Sequence, residues 1–154
     1  MRKLAILAAL ALTASPAFAA GGGSSAKTSA QKQCRTERTA MGTQTFRDTY
    51  GTNKNKKNAF GKCVSKTASA QSHNESAASA SCRSQQDADQ AGFDQKFTNF
   101  GACVSTAANQ ASTAQQQSTI AAAKQCASQL KTDAKAFHSK YRTFGACVSQ
   151  TAHA

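Results

Sequence analysis

Six cysteines are spread along the chain in three copies of one pattern. The second cysteine of each copy lies in the motif F-G-x-C-V-S, at residues 60–65, 100–105 and 144–149. Upstream of each motif stand two aromatic residues spaced i, i+4 and then a further cysteine. The aromatic pairs are Phe46 and Tyr50, Phe93 and Phe97, and Phe137 and Tyr141. Because this order returns after 40 and then 44 residues, the sequence predicts three related structural units.

An even number of cysteines in a small exported chain indicates a disulfide framework. No two of them have the C-x-x-C spacing typical of zinc, haem-attachment and redox sites, so we predict no metal and no cofactor. Six cysteines allow fifteen pairings. Cys63 and Cys82 are nineteen residues apart on one predicted helix, about 28 Å, which exceeds the reach of a disulfide. The simplest scheme pairs the cysteines within each unit, as Cys34–Cys63, Cys82–Cys103 and Cys126–Cys147.

Long stretches without helix breakers predict an all-α fold. Residues 66–90 and 106–131 contain no Pro and no Gly and are rich in Ala and Gln, which favour helix. We predict helices at about residues 28–41, 59–88, 99–134 and 143–152, with short helical turns carrying the aromatic pairs at the corners. The pairing scheme also requires breaks near residues 89–92, where Gly92 is suitable, and near residues 133–136. The predicted architecture is a small antiparallel helical bundle with three disulfide-stapled corners.

The motif has an amphipathic pattern that places its apolar positions on one helix face. In the first copy these positions are Phe60, Cys63, Val64 and Thr67. We therefore expect each disulfide to lie in a small apolar cluster with the preceding aromatic pair. The motif glycines, expected to allow close approach of another segment, are Gly61, Gly101 and Gly145. Asn99 and Thr143 stand directly before two of the motifs and are predicted to cap the following helices.

Residues 1–19 have the three parts of a cleavable signal peptide. Arg2 and Lys3 are positive, residues 4–12 are apolar, and residues 17–19, A-F-A, match a cleavage site. Nine apolar residues are too short for a bilayer core of about 30 Å, so we predict no transmembrane anchor. We expect cleavage after residue 19 and export to the periplasm or the extracellular space.

After cleavage, we expect a flexible segment at residues 20–27 and a helical domain at residues 28–154. The three units of that domain cover about residues 28–66, 67–110 and 111–154. Only fifteen Phe, Tyr, Val, Ile, Leu and Met side chains remain in this part of the chain. Because so few large apolar groups give a thin core, we predict that the disulfides contribute much of the stability.

The positive charge is concentrated in the first unit. The whole chain carries +12, of which Arg2 and Lys3 lie in the predicted signal peptide. Residues 27–66 carry +8, residues 67–110 carry −2 and residues 111–154 carry +4. Candidate anion-binding residues are Lys54, Lys56 and Lys57 in a corner loop, followed by Lys62 and Lys66 on the next helix. Such a patch attracts wall polymers, lipid headgroups or nucleic acid, and the alternative is a solvated loop that aids only solubility.

The sequence contains no recognisable catalytic arrangement. The motifs H-E-x-x-H and G-x-S-x-G are absent, the seven acidic residues are dispersed, and paired cysteines leave no thiol nucleophile. We therefore predict no catalytic residue and no small-molecule substrate. Two hypotheses follow. The first is a non-catalytic structural or interaction protein of the cell envelope or extracellular space, and the second is a binding module for an anionic polymer through the basic first unit.

One segment resembles a known group of proteins. Residues 50–65, YGTNKNKKNAFGKCVS, with the upstream QCRTER at residues 33–38, are similar to small exported bacterial proteins that carry a YGTNxNxxNAFGKCVS block. The two segments cover 22 of the 135 residues of the mature chain, and the resemblance implies no known activity. The second and third units lack the TNKNKKN insertion, so any role of that insertion belongs to the first unit alone.

Overall fold

The computed structural model describes residues 22–153, with side chains described from residue 26 onward. The predicted signal peptide, residues 1–19, lies outside the described residues. Within the described part the chain forms helices and no strand, so the predicted all-α fold is confirmed. The helices are α1 (Gly22–Met41), α2 (Thr43–Tyr50), α3 (Ala59–Ala88), α4 (Gln90–Lys96), α5 (Phe100–Thr132), α6 (Ala134–Lys140) and α7 (Phe144–Ala152).

The main difference from the predicted helix boundaries is at the start of α1. This helix begins at Gly22 rather than near residue 28, so residues 22–27, which we expected to be flexible, are helical. Gly is a poor helix former, and the prediction therefore stopped short of the Gly-rich stretch. Once a helix has nucleated, however, each added residue costs little, and α1 extends back through Ser24 and Ser25 to Gly22.

Aspartate, not glycine, produces the two helix breaks. Asp89 ends α3 and caps α4, accepting a hydrogen bond from the Gly92 backbone nitrogen at 3.0 Å. Asp133 caps α6 in the same way, accepting from the Ala136 nitrogen at 2.9 Å. The two aspartates have nearly the same backbone angles, φ −152° and −150°. Both predicted breaks are therefore present, and the Asp cap is their common feature, since Ala136 stands where Gly92 stands. At the first break the missing Cβ of Gly92 leaves room for the Asp89 carboxylate.

The three disulfides pair the cysteines within each unit, as predicted: Cys34–Cys63, Cys82–Cys103 and Cys126–Cys147. Each one joins two consecutive long segments that run antiparallel. Their Cα–Cα distances are 6.0, 6.0 and 6.1 Å, within the usual range. As a result α3 packs against both α1 and α5, and α7 folds back along the end of α5.

Each unit places its three aromatic rings in the same arrangement. The rings of the i, i+4 pair are 5.0, 5.1 and 5.2 Å apart in the first, second and third units. The first ring of each pair lies 6.5, 6.4 and 6.1 Å from the motif phenylalanine. These spacings are typical of favourable aromatic contacts, so the rings and the disulfide form the expected apolar cluster in every unit.

The clusters of the first and third units merge, which the sequence did not predict. Phe46 and Tyr50 from α2 belong to one buried core with Phe137, Phe144 and Val148 of the third unit. The cluster of the second unit is separate and small, and its buried members are Cys82, Phe93 and Cys103. Because α3 and α5 are antiparallel, the large core lies at one end of this helix pair and the small cluster at the other.

Side-chain amides and hydroxyls connect the long helices between the two clusters. Gln71 donates to the Gln33 side-chain oxygen at 3.2 Å, and Gln33 donates to the backbone carbonyl of Ser112 at 3.3 Å. Asn74 donates to the Ser112 hydroxyl at 3.0 Å, and Gln116 donates to the Gln33 backbone carbonyl at 3.0 Å. We call these residues of α1, α3 and α5 the polar layer.

Only one motif glycine permits a close helix approach. A Cβ added at Gly145 of α7 would lie 2.8 Å from the backbone carbonyl oxygen of Thr49 in α2. At Gly61 the same addition would meet no atom within 4 Å, and at Gly101 it would meet the Asn99 side chain at 3.2 Å. The expectation of a close approach in every unit was therefore wrong for the first two, because no other helix of the described residues comes within 4 Å of a Cβ at those points.

Candidate anion-binding surfaces

The corner loop, residues 51–58, is a compact turn between α2 and α3. The Asn58 side chain pairs with Thr52, accepting from its backbone nitrogen at 3.1 Å and donating to its hydroxyl at 2.7 Å. Asn55 accepts from the Lys57 nitrogen at 3.1 Å. Asn58 thus closes the loop and makes no capping bond to α3. In contrast, Asn99 and Thr143 accept the predicted capping bonds at 2.9 and 3.1 Å.

The three lysines of the corner loop differ in their surroundings. Lys56 has a positive φ of 53° and forms an ion pair with Asp48 of α2. Lys54 and Lys57 are exposed to solvent. Among the side chains that the structure describes, Lys56 with Asp48 is the one ion pair, and Lys66 interacts electrostatically with the buried Glu37.

Two arginines join the loop lysines around a shallow depression. Arg38 of α1 and Arg47 of α2 line a cavity of about 150 Å³ together with Lys56 and Lys57. The Arg38 guanidinium lies 6.0 Å from the centre of the Phe60 ring, at which distance a cation and an aromatic face attract each other. No acidic side chain lines this cavity within the described part of the chain. We call these four cations the basic depression.

Lys62 and Lys66 lie apart from the basic depression. Both line a cleft of about 640 Å³ that is bounded by α2, α3, α5 and α7, and neither Lys54 nor Lys57 reaches it. Lys54 instead borders a separate cavity with Lys56 and His138. The structure therefore distributes the five predicted lysines over three surfaces.

A buried carboxyl group lies next to this cleft. Glu37 of α1 is only 2 % exposed and accepts a hydrogen bond from the Tyr50 hydroxyl at 2.5 Å. Burial raises the pKa of Glu37, while the Tyr50 hydrogen bond and the charge of Lys66 act in the opposite direction. Burial also raises the pKa of Tyr50, and the nearby Glu37 carboxylate adds to that rise. Lys66 and Tyr50 line both this buried site and the cleft.

Arg38, Arg47 and Glu37 were not predicted as functional candidates from the sequence. The sequence did contain a signal for Arg38 and Glu37. Because α1 and α3 pair antiparallel about the Cys34–Cys63 disulfide, residue 38 lies opposite residue 59. Glu37 lies three residues after Cys34 and thus on the helix face that meets α3. No comparable signal exists for Arg47, because its position depends on how α2 packs against α3.

Within the described residues, neither a cluster of potential metal ligands nor a membrane-spanning helix is found. No group of three or more His, Cys, Asp or Glu side chains is close enough to hold a metal ion within residues 26–153. Across the same described region, no helix has both the length and the apolar character that crossing a bilayer requires.

No family model, curated protein or solved structure matches this chain. The resemblance of residues 33–38 and 50–65 to exported bacterial proteins therefore stays a prediction.

Proposed function

We propose that this protein is an exported, non-catalytic interaction protein that binds an anionic polymer of the cell envelope through its first unit. The observation that carries the proposal is the basic depression, where Arg38, Arg47, Lys56 and Lys57 converge and no acidic side chain lines the cavity. Only Lys56 has an acidic partner, Asp48. Fields from such uncompensated cations attract polyanions and raise their association rates.

Arginine supports recognition of phosphate or sulfate groups in particular. Its planar guanidinium donates two parallel hydrogen bonds to such an anion, and it keeps its charge at any physiological pH. Arg38 and Arg47 come from two different helices, α1 and α2, whose relative position is fixed by the large core. The rest of the fold, stapled by three disulfides, would then serve to hold this surface in shape outside the cytoplasm.

Salt-dependent retention on immobilised heparin and on polyphosphate tests the proposal. Binding that replaces condensed counterions weakens steeply with added salt. We expect the Arg38→Gln/Arg47→Gln variant to elute at clearly lower salt than the parent. The matched control is Arg83→Gln/Lys96→Gln, which removes the same charge from the second unit and, like the first variant, one cation–aromatic contact.

Equal loss of retention in both variants would mean that net charge alone drives binding. A parent protein that passes both columns at low salt would overturn the proposal and leave a scaffold role. Retention on duplex DNA or on anionic lipid vesicles, but not on heparin or polyphosphate, would name a different partner.

A further inference from the structure

We infer that the cleft containing Lys62 and Lys66 is a separate binding site for a small polyhydroxylated anion, the chemical class of sugar phosphates and sugar acids. The cleft, of about 640 Å³, is distinct from the basic depression, since the two cavities share no lining residue. Its volume falls within the range of about 300–1,000 Å³ that is typical of small-molecule sites.

The charge of the cleft favours an anion. Lys62 and Lys66 are one helical turn apart on α3, so both ammonium groups can reach one anionic group. No acidic side chain lines the cleft within the described residues, and neither lysine has an ion-pair partner there. Glu37, the acid behind it, is buried and bonded to Tyr50. Like charges at this spacing repel each other, and a bound anion would relieve that repulsion.

The remaining lining suits a ligand rich in hydroxyl groups. Besides Tyr50, whose hydroxyl is bonded to Glu37, seven side chains with a hydroxyl or amide group line the cleft: Thr49, Thr52, Asn74, Gln115, Ser118, Thr119 and Ser149. Several of these hydroxyls already donate to backbone carbonyls, as Ser118 does to Ala152 at 2.8 Å and Thr119 to Gln115 at 2.9 Å. Their free lone pairs can therefore accept hydrogen bonds from ligand hydroxyls.

An apolar floor completes the site. The Tyr50 ring, Val148 and three alanine side chains border the same cavity, which gives a sugar ring a surface to pack against. The cleft is held open by α7, which is fixed to α5 by the Cys126–Cys147 disulfide and to α2 by the close approach at Gly145. The site is thus formed before any ligand arrives.

Titration calorimetry at low ionic strength tests the inference with four probes: glucose 6-phosphate, glucuronate, inorganic phosphate and glucose. We expect saturable binding of glucose 6-phosphate or glucuronate, with the stronger of the two identifying the anionic group. Inorganic phosphate should bind at least tenfold more weakly than the better ligand, and glucose should not bind. Equal binding of inorganic phosphate would overturn the sugar-binding part of the inference, and no saturable binding of either sugar anion would overturn all of it.

Three variants locate the binding. Lys62→Gln/Lys66→Gln should weaken it at least tenfold, whereas Lys54→Gln/Lys57→Gln removes the same charge outside the cleft and should leave it unchanged. Ala114→Leu fills the cleft without changing charge and should also abolish binding. Equal effects of the two lysine variants would overturn the inference. Heparin retention distinguishes this inference from the proposed function. A parent protein that binds the sugar anion but not heparin contradicts only the proposed function. A parent protein that binds heparin but not the sugar anion contradicts only the inference about the cleft.

Discussion

The Tyr50 hydroxyl lies 2.5 Å from the carboxyl oxygen of Glu37, and this buried hydrogen bond joins α2 to α1 beside the Cys34–Cys63 disulfide. Glu37 is the one acidic side chain that is buried within the described residues. Its partner Tyr50 also packs on Phe46, with ring centres 5.0 Å apart. The pair therefore couples the charge state of one carboxyl group to the packing of the large core.

Glu37 should make stability depend on pH. Because burial raises its pKa above the usual value of 4.5, the folded state binds this proton more tightly than the unfolded chain does. The resulting stabilisation is present at low pH and is lost as pH rises through the raised pKa. We expect the melting temperature of the parent, relative to that of Glu37→Gln, to fall as the pH rises above the usual carboxyl pKa of 4.5. A difference between the two melting temperatures that does not change with pH would contradict this expectation.

Gly145→Ala should destabilise the protein while Gly61→Ala should not. A methyl group at residue 145 would press on the Thr49 carbonyl oxygen at 2.8 Å, and such overpacking costs about 1–3 kcal/mol. At residue 61 the methyl group meets nothing within 4 Å, so the helix gains about 0.5–1 kcal/mol. Chemical denaturation of both variants measures the difference. Equal stabilities would show that α7 can shift away from α2 at no cost.

Removal of the second-unit disulfide should loosen one end of the molecule. The Cys82→Ser/Cys103→Ser variant lacks this disulfide, whose two cysteines are 21 residues apart in sequence. In the chain-entropy model, closing a loop of this size contributes about 3 kcal/mol to the free energy of unfolding. Only Phe93 would then remain of the buried apolar residues in that cluster. We expect faster amide hydrogen exchange in α4 and at the adjoining end of α3, with little change around Tyr50. Uniform acceleration over all helices would instead show a single cooperative unit.

Asp89→Ala and Asp133→Ala should each cost about 1 kcal/mol, the usual value of a helix cap. Asp87→Ala is the control, because Asp87 is an exposed residue of α3 only two positions before the first cap. Thermal unfolding of the three variants gives the comparison. A loss at Asp133 without one at Asp89 would mean that Gly92 is sufficient for the first break.

The units were predictable because their signals are local. The aromatic pair, the motif and the cysteine recur within about 40 residues, and an i, i+4 pair can meet only if the chain between them is helical. The contact between the first and third units was not predictable in this way. It depends on Gly145 meeting Thr49, almost a hundred residues away, and Gly61 and Gly101 have the same sequence surroundings without such a partner.

The candidate sites were likewise predictable only as far as they depend on residues that are neighbours in sequence. Lys54, Lys56 and Lys57 were identified as a cluster because they are neighbours in sequence, yet Lys56 pairs with Asp48 and the cations that complete the depression, Arg38 and Arg47, come from other helices. Lys62 and Lys66 lie in a cleft whose far wall is α5 and α7. Charge counts along a chain show which unit is basic, but tertiary packing decides which of its charges share a surface.

Alanine and serine side chains are small and similar in size, so an interface built only from them defines the axial register of two packed helices poorly. With such an interface alone, a shift of α3 by one helical turn, about 5.4 Å, would cost little free energy. The disulfides Cys34–Cys63 and Cys82–Cys103 hold α3 near its two ends, and the polar layer fixes the register between them. Gln71, which is 9 % exposed, can form its hydrogen bond to Gln33 in only one axial register of the helices. The hydrogen bond from Asn74 to Ser112 requires the same register. A slipped bundle would leave these amides without partners, at about 1–3 kcal/mol for each buried group. The disulfides thus fix α3 near its two ends, and the amides hold the same register along the stretch between them.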